Sequence, residues 1–130
     1  MILLQAKHLA SVATQAPHGK GLETVVDTKV RNTLQIEANK VKFTNPLWAP
    51  ALRSLVTTAV GALGVEGHLV KAELYKLLLY ETGGFFKPHR DTEKADKMFA
   101  TLVVQLPSRF TGGSFSVKHG GKTKVRVLLV

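Results

Sequence analysis

The residues best suited to chemistry in this chain are His89 and Asp91, in the run Gly83-Gly84-Phe85-Phe86-Lys87-Pro88-His89-Arg90-Asp91. Successive side chains of an extended chain point to opposite faces, so positions 89 and 91 project the same way. One imidazole and one carboxylate on one face supply two of the three ligands of a 2-His-1-carboxylate facial triad. That arrangement holds non-haem Fe(II) and leaves coordination positions open. Pro88 favours the extended form, because the residue before a proline is pushed out of the helical region. Chance alone places His-x-Asp in roughly one such chain in ten, so spacing by itself favours a plain surface turn beside lysines.

The elements around the pair have to position it. His68 to Tyr80 reads as a long strand, with both faces apolar towards its end, followed by a glycine turn and the His-x-Asp segment. Thr92 to Lys97 is polar and reads as a surface loop. Met98 to Leu106 reads as a buried strand, Ser114 to Lys118 as another, and His119-Gly120-Gly121 as a turn into a final strand, Lys122 to Val130. That last strand has an apolar end that invites aggregation if nothing pairs with it. His119 sits at a glycine tip, where a ligand is poorly held, and His18 has the same weakness in the loop Ala16-Pro17-His18-Gly19-Lys20-Gly21.

Upstream, residues 1 to 16 show mild alternation and no chemistry, with His8 on the surface or in a short strand. Glu23 to Asp27 and Thr33 to Glu37 read as short strands, which Val41 to Phe43 extends. Asn45-Pro46 opens the one clear helix, expected over 45–63, and Gly64 ends it. Trp48, Ala51, Leu52, Leu55, Val56, Ala59, Val60 and Leu63 recur at spacings of three and four and make one broad apolar face. At that spacing Trp48 is a core residue covering a sheet rather than a ligand platform.

Several blocks, in order, carry a family resemblance. They are Ala72-Glu73-Leu74-Tyr75-Lys76-Leu77-Leu78-Leu79-Tyr80, then Gly83 to Lys94, then Met98-Phe99-Ala100-Thr101-Leu102-Val103-Val104-Gln105-Leu106-Pro107-Ser108, then Thr111-Gly112-Gly113 and Val117 to Lys122. With Gly19 to Asp27 and Val30-Arg31-Asn32, the likeness spans roughly residues 17 to 124. Together they closely resemble the prolyl 4-hydroxylase-like branch of the iron(II)/2-oxoglutarate dioxygenases. The resemblance implies an α+β, β-dominated fold: part of a double-stranded β-helix (jelly roll) with one supporting amphipathic helix, in a single domain over 1–130. It implies Fe(II) held by His89 and Asp91, 2-oxoglutarate as cosubstrate, and O2. It places Tyr80 next to bound 2-oxoglutarate, Gln105 near its distal carboxylate, and Phe86 and Thr101 near the pocket. The implied reaction is hydroxylation of a substrate coupled to decarboxylation of 2-oxoglutarate to succinate and CO2.

The chain departs from the family after Lys124, where Val125 to Val130 no longer fits. The family's second His ligand and the basic residue that pairs with the cosubstrate lie on later strands. An incomplete domain, from a truncated gene model or a frameshift, is the expectation. A continuous reading frame stopping after Val130 would remove it. Gln105 offers a neutral amide, which donates a hydrogen bond and does not replace a cation. Two other readings stand beside the enzyme: a non-catalytic remnant scaffold, and a basic nucleic-acid-binding module.

Composition bounds these readings. The 130 residues suffice for one domain with a core, and 45% hydrophobic against 21% charged residues is ordinary for a globular chain. No apolar run reaches the ~20 residues of a membrane span. Met1 to Leu4 is too short for a signal-peptide core, so an intracellular, cytoplasmic location is expected. The absence of Cys excludes disulfides and thiolate metal sites. The net charge of +9 is spread along the chain, and no acid follows Asp96. That excess admits a polyanion, but the stretch lacks exposed aromatic residues among its cations, which argues against nucleic acid as a partner. The expected partner is a protein or small-molecule substrate, with no membrane.

Overall fold

The computed structural model describes residues 3–126. It is a mixed α+β, β-dominated chain with two α-helices and several small antiparallel sheets among the described residues. Its contacts fall into two units, residues 1–34 with 79–130, and residues 35–78.

The first unit opens with α1 (Leu3–Val12) and the short β1 (Thr14–Gln15). Next comes a hairpin of β2 (His18–Lys20) and β3 (Glu23–Val25), in the register His18↔Val25, Gly19↔Thr24 and Lys20↔Glu23. Its two-residue turn puts Gly21 at φ 62°, the positive value that primed hairpin turns take. β4 (Arg31–Asn32) pairs antiparallel with β7 (Phe85–Phe86), far along the chain. β8 (Phe115–His119) and β9 (Lys122–Arg126) close a second hairpin through Gly120 and Gly121.

The buried centre of this unit is polar as much as apolar. Ala16 is fully buried and Thr33 nearly so. The Ala16 amide donates to the Thr33 carbonyl at 2.8 Å, and the Gln15 side-chain amide donates to the carbonyls of Arg31 and Thr33, both at 3.1 Å. Thr33 Oγ1 donates to the Phe85 carbonyl at 3.3 Å. These bonds satisfy backbone groups that a two-residue ladder leaves open.

The second unit holds most of β5 (Leu34–Glu37), its neighbour β6 (Lys76–Leu79), and α2 (Trp48–Leu63). Asn45 Oδ1 accepts the Leu47 N–H at 2.9 Å and the Asn45 carbonyl accepts the Trp48 N–H, a turn that leads into the helix. The expected start at Asn45-Pro46 is displaced: the helix begins at Trp48, and Leu47 stands at its N-cap without a side-chain bond. Pro50 is tolerated because first-turn N–H groups have no intrahelical partner. Gly64 ends the helix in the left-handed conformation, at φ 67°. The half-buried stripe is narrower than the sequence face. It keeps Trp48, Leu52, Val56, Ala59 and Val60, while Ala51, Leu55 and Leu63 are exposed. Trp48 stacks on Phe43 with ring centroids 3.9 Å apart. Ile36 and Gln35 are buried, and Gln35 joins a polar chain: Lys76 Nζ donates to Gln35 Oε1 at 2.7 Å, and Gln35 Nε2 donates to Glu37 at 2.8 Å.

Several expectations change. Residues 3–12 are a helix, so His8 lies exposed on α1 rather than in a strand. Leu, Gln, Ala and Lys are good helix formers, and this propensity outweighs the weak alternation. The long strand over 68–80 shrinks to Lys76–Leu79. Val41 to Phe43 and Met98 to Leu106 are irregular, with Leu102 and Val103 exposed. A strand exists only where a second backbone accepts its ladder, and apolar composition does not supply one. The end of the expected final strand, 127–130, lies outside the described residues.

Candidate functional site

The His-x-Asp segment is positioned by the β4–β7 pairing. Arg31 lies opposite Phe86 and Asn32 opposite Phe85, and the Lys87 N–H donates to the Val30 carbonyl at 3.0 Å, carrying the pairing one residue further. The turn before β7 closes when the Gly84 N–H donates to the Glu81 carbonyl at 2.8 Å, with Gly83 at φ 76°. Gly84 answers to a close approach instead. A Cβ there would stand 2.9 Å from the Glu81 oxygen and 3.1 Å from that of Asn32.

From this base the chain delivers both side chains to one place. Phe86 carries the Arg31 guanidinium 4.4 Å from its ring centre and the His89 imidazole stacked at 3.5 Å, the planes 19° apart. Arg31 is itself held by its Nη1, which donates to the Pro17 carbonyl at 2.8 Å. His89 Nδ1 lies 2.8 Å from the Lys87 carbonyl. A carbonyl only accepts, so Nδ1 carries the proton and Nε2 is the atom left for other partners. Nε2 stands 3.3 Å from Asp91 Oδ1. A neutral ring in this tautomer turns a lone pair towards a carboxylate. The contact is attractive only when a cation, a second ring proton or a metal ion, lies between them.

The pair meets a simple metal test. Two donors about 2.1 Å from one first-row ion, at right angles, lie about 3.0 Å apart, and the observed 3.3 Å is close to that edge. The Lys87 carbonyl on the other ring nitrogen is the kind of outer partner that fixes a metal-binding imidazole. As a complete centre the set falls short. Among the described residues no group of three His, Cys, Asp or Glu side chains comes together. The His89 and Asp91 side chains are 40% and 52% exposed, so water competes for any ion they hold.

The other sequence candidates lie apart from this contact. Tyr80 follows β6 and is exposed, and Gln105 is exposed in the irregular stretch after Met98. Among the described residues no hydrogen bond or ring contact joins either to His89 or Asp91. His119 ends β8 opposite Lys122, and His18 opens β2. His18, Lys20, Glu23, Asp27 and three valines line a cavity of about 600 Å3 that excludes His89 and Asp91. One residue links it to the pair's support: Val30 lines the cavity, and its carbonyl holds Lys87.

Sequence reasoning missed Arg31 as the partner of Phe86. The two are 55 positions apart, and only the strand register brings them opposite. It missed the Thr33–Phe85 bond for the same reason. The sequence signal available was a short strand expected over Thr33 to Glu37, which says nothing of a partner for Arg31 and Asn32. Comparison of the chain with protein-family models, with curated proteins and with solved structures gives no match.

Proposed function

We propose that this chain carries the His–Asp portion of a ferrous-iron centre in an iron(II)/2-oxoglutarate dioxygenase domain of the prolyl 4-hydroxylase-like kind, its strands forming part of a double-stranded β-helix. The observation that supports it best is the convergence of His89 Nε2 and Asp91 Oδ1, with Nδ1 committed to the Lys87 carbonyl. In this reading His89 and Asp91 hold the metal, and Phe86 keeps the imidazole plane in place. Tyr80 and Gln105 contribute to the 2-oxoglutarate pocket, as the sequence resemblance implies. When bound, the iron supplies oxygen activation, coupling decarboxylation of 2-oxoglutarate to hydroxylation of a substrate. The chain's own part is to orient two donors and leave the remaining positions open.

A third protein ligand and a cation for the distal carboxylate are still required. The lack of a third His, Cys, Asp or Glu beside the pair among the described residues, with the exposure of the pair, favours a second reading: a remnant scaffold that holds divalent ions weakly and with little preference. Anaerobic Fe(II) titration of the full chain, with and without 2-oxoglutarate, tests both. His89→Ala and Asp91→Ala are each expected to weaken binding at least about tenfold, the loss typical of removing even an outer partner. Binding unchanged by both substitutions would overturn the metal reading. Succinate formation on admitting O2 would reject the remnant.

A further inference from the structure

The β8–β9 hairpin differs from the rest of its unit: every residue of both strands is exposed. Directly paired residues of an antiparallel ladder share a face. One face therefore carries Phe115 with Arg126, Val117 with Lys124, and His119 with Lys122. This puts a row of three cations beside an apolar row that begins with an aromatic ring, half-exposed Phe115. Lys118 adds a cation on the other face, and exposed Phe110 follows Arg109 just upstream. Among the described residues no ion pair involves the hairpin, and no Asp or Glu follows Asp96 in the chain. The cations are therefore free for an outside anion.

We infer that this hairpin is a docking element for single-stranded nucleic acid. The inference is independent of the iron reading. The charge selects a polyanion. Alternate strand residues lie about 6.8 Å apart, so Lys122, Lys124 and Arg126 form an evenly spaced row of cations along which a phosphate backbone can lie. The ring selects a single strand over a duplex. Unpaired bases stack on exposed aromatics, and Arg126 sits beside Phe115 to meet the adjoining phosphate. The sequence spoke against nucleic acid for want of exposed aromatics among the cations, and the structure exposes Phe110 and Phe115 there.

The test is fluorescence anisotropy of the full chain with a labelled oligothymidylate of about fifteen nucleotides, alongside a duplex of the same length. Three phosphate contacts predict a slope of log affinity against log salt near −2, or about a twentyfold loss between roughly 50 and 200 mM salt. Lys124→Gln should make the slope shallower by about 0.7. Phe115→Ala should weaken single-strand binding at least about fivefold and leave the slope alone. Lys7→Gln, on exposed α1, should change neither. Salt-independent affinity, an unchanged slope in Lys124→Gln, no effect of Phe115→Ala, or a duplex bound as tightly as the single strand would each overturn the inference.

Discussion

The first unit contains two antiparallel pairings that invert the usual expectation of length. β4–β7 joins two residues to two, across more than fifty positions of sequence, while β8–β9 joins five to five across a two-residue turn. The shorter one is embedded. Thr33, Gln15, Arg31 and the Ala16 amide all bond into the segments around it, and Thr33 and Ala16 are buried. The longer one is exposed along every residue. Ladder length measures how well a local turn sets register. Burial measures whether distant segments supply partners. The candidate metal pair hangs from the embedded pairing, and the basic ribbon is the exposed one.

Glycine substitutions break the two pairings for different reasons, and the embedded one should suffer more. Gly84→Ala drives a Cβ to 2.9 Å from the Glu81 oxygen and 3.1 Å from that of Asn32. Both are backbone atoms, so β7 must shift against β4. A loss of about 1–3 kcal/mol is expected, as for overpacking elsewhere, read as a lower urea midpoint. His89 lies three residues beyond β7 and stacks on its Phe86, so metal affinity should fall with stability. A full-stability Gly84→Ala protein would mean that β4–β7 is not the base of the site.

Gly120 has open space around it, and its constraint is conformation, at φ 54°. Gly120→Val forces a β-branched residue into the left-handed region at roughly 1–2 kcal/mol, whereas Gly120→Asn is tolerated because Asn adopts that region in primed turns. Every residue of the hairpin's two strands is exposed. The expected effect of Val is faster amide exchange over Phe115–Arg126 with an unchanged global urea midpoint. A global loss of stability would show that the hairpin is built into the unit's core after all.

The same division explains what could be read in advance. Local signals were legible: the apolar spacing gives α2 and Gly64 ends it, the glycine pair at 120 and 121 closes the hairpin, and His89 and Asp91, two positions apart, meet at 3.3 Å. Each depends on residues a few positions apart. Pairing between distant segments was not legible. Met98 to Leu106 has the composition of a strand and no ladder, while Arg31-Asn32 has little strand character and finds one at Phe85-Phe86. The polar bonds that fix Thr33 and Gln35 are equally silent in sequence, since any exposed Thr or Gln reads the same.

The smallest effect is expected where a contact is both local and exposed. Lys71 Nζ stands 2.6 Å from Glu73 Oε1, two residues away, with both side chains mostly in water. The hydrogen bond from Lys71, and then its charge, hold the Glu73 carboxyl below the usual carboxylate range and raise Lys71 in turn. A depressed carboxyl stabilises the fold above its unfolded pKa, and the gain disappears as pH falls through the folded value. A raised ammonium stabilises below its unfolded pKa and stops doing so as pH rises through the folded value. Between those windows stability should be flat in pH on this account. An NMR titration of Glu73 should show a midpoint below that of free glutamate, moving back in high salt and in Lys71→Gln, with the urea midpoint unmoved. Lys76 is the contrasting case: its ammonium meets Gln35 and Glu37 about forty positions away and its side chain is only 13% exposed. If Lys71→Gln lowered the urea midpoint, an exposed pair between near neighbours would be acting as the embedded contacts do, and the division between local and distant contacts would not predict stability in this chain.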